Sequence, residues 1–281
     1  MTVKGENVTP TLKLGTADYT YLWDRSLEDA LTEIKTLGFK YIELMTAVPH
    51  FWPPSFSRNQ RRDLRELMDR LDLELVAINP TFLDINMAST NPGIRKESVQ
   101  QIIDQITLAR DLGAKIIVVI PGKRHPLLAP PFETVWQNYA KEGVLRCVEH
   151  AEKNNVIFGL ENGPGLFVEN VDKMLFVLDE VGSSAMKIVF DVANASMIEP
   201  IDSALEKVKE HLVHVHLSDT DYHTWTHSPV GIGKINFALI AKKLQEIDYS
   251  GISILETTYS ENPKWGITSS IDKLLALGWQ M

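Results

Sequence analysis

Val213-His214-Val215-His216-Leu217-Ser218-Asp219 is the stretch from which the fold can be read. Its alternation places His214 and His216 on one face of a short strand, with Val213, Val215 and Leu217 on the other. Working outward, the same form recurs in Val156–Glu161, Lys187–Asp191 and Ile252–Glu256, apolar runs that each end in an acid. Towards the N-terminus, Leu12–Thr16, Lys40–Leu44, Leu73–Asn79 and Lys115–Ile120 also read as strands. Helical patterns fall between them. Ser26 opens a helix through Leu37 that Gly38 stops, and Ser57 caps a second to Leu71. Apolar periodicity gives a third from Ile94 to Leu112 ended by Gly113, and others over Phe132–Lys153, Val168–Val181, a segment closing at Leu205–His211, Asn236–Ile247 and Ile267–Leu277. Eight strand–helix pairs without a linker or composition shift predict a parallel sheet closed into a (β/α)8 barrel, residues 1–281 forming one domain. The rival, a doubly wound open sheet, lacks support: Thr16-Ala17-Asp18-Tyr19 follows the first strand where a Gly-x-Gly-x-x-Gly turn would stand.

Composition narrows the partners. The chain has 281 residues, 44% hydrophobic and 23% charged, ample material for a core. Its 28 basic and 37 acidic residues leave a net charge of −9, which repels nucleic acid and anionic membranes. Cys147 stands alone within the apolar pattern Val144-Leu145-Cys147-Val148, so it packs in the core and fits a reducing compartment. Met1–Pro10 is polar and no run is long enough to span a membrane, so the expectation is a cytoplasmic protein.

In a barrel, all strand carboxyl ends open onto one face, where enzymes of this architecture build their sites. Glu161, Asp191, His216 and Glu256 would meet there from strands five to eight. Three carboxylates and one imidazole are mainly hard oxygen donors, suited to one six-coordinate Mn2+, Mg2+ or Co2+, with Zn2+ less favoured. An acid just after a strand is also an ordinary helix cap, so the argument rests on the four together. His214 shares the face of His216 one pleat deeper and reads as a hydrogen-bonded support. Asp219 reads as a loop anchor or an orienting group beyond the ligands. Thr46–Ser57, with three prolines among His50, Phe51, Trp52 and Phe56, is a rigid aromatic loop. His50, Trp52 and His125 are candidate walls of a pocket on that face.

Leu160-Glu161-Asn162, Phe190-Asp191-Val192-Ala193-Asn194, His214 to Asp221, Gly231-Ile232-Gly233-Lys234-Ile235-Asn236-Phe237 and Leu255-Glu256-Thr257 together resemble the xylose-isomerase-like TIM-barrel sugar isomerases and epimerases. The resemblance covers nearly the whole chain. Through Glu43 with Pro49-His50, the Ser-Asp-Thr-Asp run and His227–Gly233 it is similar to ketose 3-epimerases of the fructoselysine 3-epimerase type. It implies that Glu161, Asp191, His216 and Glu256 hold the metal and that Glu161 and Glu256 are also the acid–base pair. It places His227 where relatives have a residue touching substrate or a further metal, and Asn194 where they often have histidine. Trinuclear-zinc endonucleases of the same superfamily need histidines or an acid where this chain has Asn79, Ile120, Asn194 and Trp225. DNA repair is therefore set aside.

The implied chemistry is proton transfer beside the carbonyl of a small sugar, through a metal-stabilised enediolate, giving epimerisation or aldose–ketose isomerisation. Elimination begins the same way, so a metal-dependent dehydratase or lyase of an inosose-type keto-polyol and a C-glycoside-cleaving subunit are alternatives, and a non-catalytic carbohydrate-binding barrel is a third. A homo-oligomer is compatible with the fold class, and nothing in the sequence fixes its number.

Overall fold

The computed structural model describes residues 11–80, 84–125, 127–259 and 261–281. The polar Met1–Pro10 segment lies outside the described residues, as do Thr81, Phe82 and Leu83 of the Pro80–Gly93 loop and Pro126 of the Pro121–Pro131 loop.

The elements alternate along the chain. They are β1 (Leu12–Ala17), α1 (Leu27–Thr36), β2 (Tyr41–Thr46), α2 (Arg58–Arg70), β3 (Glu74–Pro80), α3 (Pro92–Leu112) and β4 (Ile116–Val119). Next come α4 (Phe132–Val135), which runs through a π turn (Trp136–Ala140) into α5 (Lys141–Lys153), then β5 (Ile157–Glu161), α6 (Val171–Val181) and β6 (Met186–Asp191). The chain ends with α7 (Val192–Ser196), α8 (Ile201–Val208), β7 (Leu212–Leu217), α9 (Phe237–Glu246), β8 (Ile252–Leu255), α10 (Pro263–Leu275) and β9 (Trp279–Gln280). All pairings between these strands are parallel, and β1 bonds to both β2 and β8, which closes an eight-stranded (β/α)8 barrel. The sequence misses β9, a two-residue strand that pairs Trp279 with Leu12 below the point where β1 meets β2.

Local chemistry sets the helix ends. Ser26 accepts from the Asp29 N–H, and Ser57 forms a reciprocal capping box with Gln60. Gly113 takes the left-handed conformation, φ 87°, that ends α3. The apolar stripe of α1, with Ala30, Leu31 and Ile34, faces the outside of the barrel, as do the corresponding faces of the other long helices. Cys147 is buried there as expected, its Sγ 3.8 Å from the Val99 carbonyl.

Inside the barrel the lower half is an apolar plug of Val76, Ala77, Ile116, Val118 and Val189, with Tyr41, Ile157, Val213 and Ile252 packed against it. Val213 belongs to this plug and not to the outer face with Val215 and Leu217. The cause is a bulge: Ile188 pairs with Leu212 but Val189 pairs with His214, so Val213 is the extra residue that breaks the alternation. The plug also needs Gly159, since a Cβ there would lie 2.5 Å from a Val189 methyl carbon. Strand parity then dictates the layer above. Glu161 follows Ile157 and Gly159 on the inward face, Asp191 follows Val189, and Glu256 follows Ile252 and Ile254. No helix among the described residues is long and apolar enough to cross a membrane.

Candidate metal centre and active site

Glu161, Asp191, His216 and Glu256 come together above the plug. Each is buried, and one donor atom from each lies within 4.8 Å of every other. His216 is the hub. Its Nδ1 is 2.8 Å from Glu161 Oε1, 3.3 Å from Glu256 Oε2 and 3.9 Å from Asp191 Oδ2. Asp191 divides its two oxygens. Oδ1 accepts from the Asn194 N–H at 2.7 Å and caps α7, whereas Oδ2 is buried with no hydrogen-bond partner among the described residues. A buried carboxylate oxygen left unpaired beside two further carboxylates is costly unless a cation joins it. The donor set therefore fits one divalent ion.

Electrostatics follow from this crowding. Burial, with Glu256 and Asp191 nearby, pushes Glu161 up to about 8 against the opposing charge of His216. Burial also acts against a charged His216, but Glu43, Glu256 and Glu161 outweigh it and hold that imidazole well above its ordinary value. The same burial would raise Glu256, yet His216 and His227 keep it below the usual carboxylate range. In the metal-free protein the cluster thus holds protons where cation charge is wanted.

Glu43 has a role that the strand-end reading does not assign it. It lies on β2 with no exposed surface, and its Oε2 accepts from His214 Nε2 at 2.9 Å and from His216 Nε2 at 3.0 Å. Oε1 accepts from Asn79 Nδ2 at 2.8 Å, and that amide also reaches Glu256 Oε1 at 3.3 Å. An acceptor on Nε2 leaves the Nδ1 lone pair of His216 for a metal. The signal in the sequence was an acid inside an apolar strand, Ile42-Glu43-Leu44, which needs a buried partner. His214 shares this Glu43 oxygen with His216.

His227 also faces the cluster. Its Nδ1 is 3.0 Å from Ser218 Oγ, 3.6 Å from Glu256 Oε2 and 3.7 Å from Asp191 Oδ2. Asn194 is buried beside them with both amide groups engaged, Nδ2 donating to the Asn162 carbonyl and Oδ1 accepting from Trp225 Nε1. Asp219 turns away from the donors. Its carboxylate accepts from the backbone N–H groups of Thr220, Gly231, Gly233 and Ile235, and so gathers the loop between β7 and α9.

The remaining wall candidates have other contacts. Both ring nitrogens of His50 are engaged, Nδ1 by Asp18 Oδ2 at 2.6 Å and Nε2 by the Arg25 carbonyl at 3.1 Å. Trp52 is half-buried, and its carbonyl accepts from Ser55 in the turn after it. His125 is exposed and accepts at Nδ1 from the N–H groups of Leu127 and Leu128. It lines a cavity of about 610 Å³ with Asn86, Lys123, Phe132, Phe167 and Lys173, and no donor of the four-residue cluster lines that cavity.

Known proteins match this architecture over most of the chain. An uncharacterised protein of Methanocaldococcus jannaschii is 29% identical over 258 residues, 87% of this chain and 83% of its own. Fructoselysine 3-epimerase of Shigella flexneri is 24% identical over 259 residues, covering 89% of this chain and 93% of its own. The crystal structure of a D-tagatose 3-epimerase-like protein superposes with a TM-score of 0.82 at 26% identity, covering 95% of this chain and 98% of that one. The profile of the xylose isomerase-like TIM barrel family matches residues 31–277, and the chain belongs to that family.

Proposed function

We propose that the protein is a divalent-metal-dependent ketose epimerase that moves a proton on the carbon beside the substrate carbonyl. The observation that carries this reading is the placement of two glutamates. Glu161 on β5 and Glu256 at the end of β8 enter from different sides of the barrel, yet lie 2.8 and 3.3 Å from the same His216 Nδ1. Epimerisation needs a proton removed from one face of a carbon and another delivered to the opposite face, and two carboxylates flanking one site supply both. Relatives named as fructoselysine and D-psicose 3-epimerases support the choice of a ketose.

Glu161, Asp191, His216 and Glu256 would hold the ion, and their oxygen-rich set suits Mn2+, with Mg2+ or Co2+ as substitutes. Bound there, the cation supplies Lewis-acid polarisation of the substrate carbonyl, which acidifies the neighbouring C–H. One glutamate accepts the carbon-bound proton and leaves an enediolate; the other returns a proton to the far face. His227, hydrogen-bonded through Nδ1 to Ser218, is placed to contact a substrate hydroxyl. Incubation with Mn2+ in D2O against free and phosphorylated ketoses tests the reading by NMR. Solvent deuterium should enter one carbon of at least one ketose, and failure to exchange with any of them overturns it.

A further inference from the structure

Trp225 is strongly anchored beside the donor cluster yet open to solvent. Its Nε1 donates to Asn194 Oδ1 at 2.7 Å, and the Asn194 N–H in turn donates to Asp191. The backbone on both sides is tied down. Thr220 Oγ1 donates to the Thr224 carbonyl at 2.7 Å, the Thr258 N–H donates to the His227 carbonyl, and Ser228 pairs with Asp219. Despite these ties, 48% of Trp225 is exposed, whereas Asn194 beneath it is buried. His227, two residues on, faces Asp191 and Glu256. A tryptophan placed for packing would bury its ring; this one ties its polar edge to Asn194 and leaves about half of its surface open to solvent.

We propose that Trp225, latched by Asn194, is a specificity wall of the site whose indole face stacks on the C–H face of the sugar. It rests on the epimerase reading for the class of ligand. The latch fixes the ring before substrate arrives, so little ordering is lost on binding. Asn194 then acts as the positioning residue that holds this wall, which accounts for both of its amide groups being engaged within the protein.

The test is a binding titration that does not depend on turnover. Mn2+-loaded protein is titrated with the ketose panel while tryptophan emission is followed, in wild type, Trp225→Phe and Trp225→Ala, with circular dichroism checking that both variants fold. A saturable emission change is expected in wild type and should be lost in Trp225→Phe, which keeps a flat ring but no indole. Affinity read by calorimetry should fall roughly tenfold in Trp225→Ala and only severalfold in Trp225→Phe. Equal affinity in all three proteins, or an emission change that persists in Trp225→Phe, overturns the wall, as does a ketose that binds wild type without changing emission. A panel in which no ketose binds at all overturns it too. Deuterium exchange by wild type judges the epimerase reading separately, since exchange with unaltered Trp225→Ala affinity would sink only the wall.

Discussion

His216 and Glu43 meet through a 3.0 Å contact between Nε2 and Oε2, on the side of the imidazole away from the other three donors. The same Glu43 oxygen accepts from His214 at 2.9 Å, so one carboxylate on β2 sets the orientation of both rings of the His-x-His strand. This buried triad fixes the orientation of the His216 ring.

Glu43→Gln should therefore weaken Mn2+ binding by about 10–100-fold although Glu43 is not one of the four donors. Competition against a chromophoric chelator measures the change. Affinity within twofold of wild type would remove Glu43 from the account of the metal site.

Metal affinity should rise with pH. Burial holds Glu161 at about 8, and the surrounding carboxylates keep His216 protonated well above the ordinary imidazole range. Below those values a cation must displace protons held by Glu161 and His216. One displaced proton makes affinity fall about tenfold for each pH unit of acidification, and two make it steeper. Calorimetry between pH 6 and 8 in buffers of different ionisation enthalpy reads both slope and proton release. Affinity that is flat over this window would contradict the protonated metal-free cluster.

Removing the metal should cost stability, because three carboxylates would remain buried together around one imidazole. At about a hundred times its Kd, Mn2+ should stabilise the fold by ~2.7 kcal/mol, a rise of roughly 5 °C in Tm for a chain of this size. Scanning calorimetry of chelator-treated and reloaded protein checks this. The shift should vanish in Asp191→Asn, whose wild-type carboxylate holds the unpaired Oδ2.

Asp219→Ala should destabilise without touching the donors. The buried Asp219 carboxylate accepts four backbone N–H bonds, at 2.9, 2.8, 3.0 and 3.0 Å, from Thr220, Gly231, Gly233 and Ile235. Loss of that anchor is worth about 2–4 kcal/mol, read by urea unfolding. Asp221→Ala should cost much less, since that carboxylate is partly open to solvent and among the described residues accepts from the neighbouring N–H groups of its own turn, His223 and Thr224.

Strand positions and the gathering of Glu161, Asp191, His216 and Glu256 on one face were legible in the sequence because both follow from period-two alternation inside a barrel, where parity alone sends Glu161, Asp191 and Glu256 inward. Glu43 was not, because it sits within its strand and its meaning depends on His214 and His216 from far along the chain. The bulge at Val213 was hidden for a similar reason, since it is defined by pairing with β6 and leaves no trace in the alternation. Asn194 read as a substrate contact, and its hydrogen bonds to Asn162 and Trp225 are tertiary facts that no local pattern encodes. His50 read as a wall, but Asp18 and the Arg25 carbonyl occupy both its nitrogens.

The central claim is that Glu161 and Glu256 serve opposite faces of one carbon, and the position of deuterium early in turnover tests it most directly. With Mn2+ in D2O, the first product formed should carry one solvent deuteron at the inverted carbon while recovered substrate remains protiated, and Glu161→Gln or Glu256→Gln should each abolish epimer formation. Product formed without solvent deuterium, or an active Glu256→Gln variant, would contradict the two-carboxylate account.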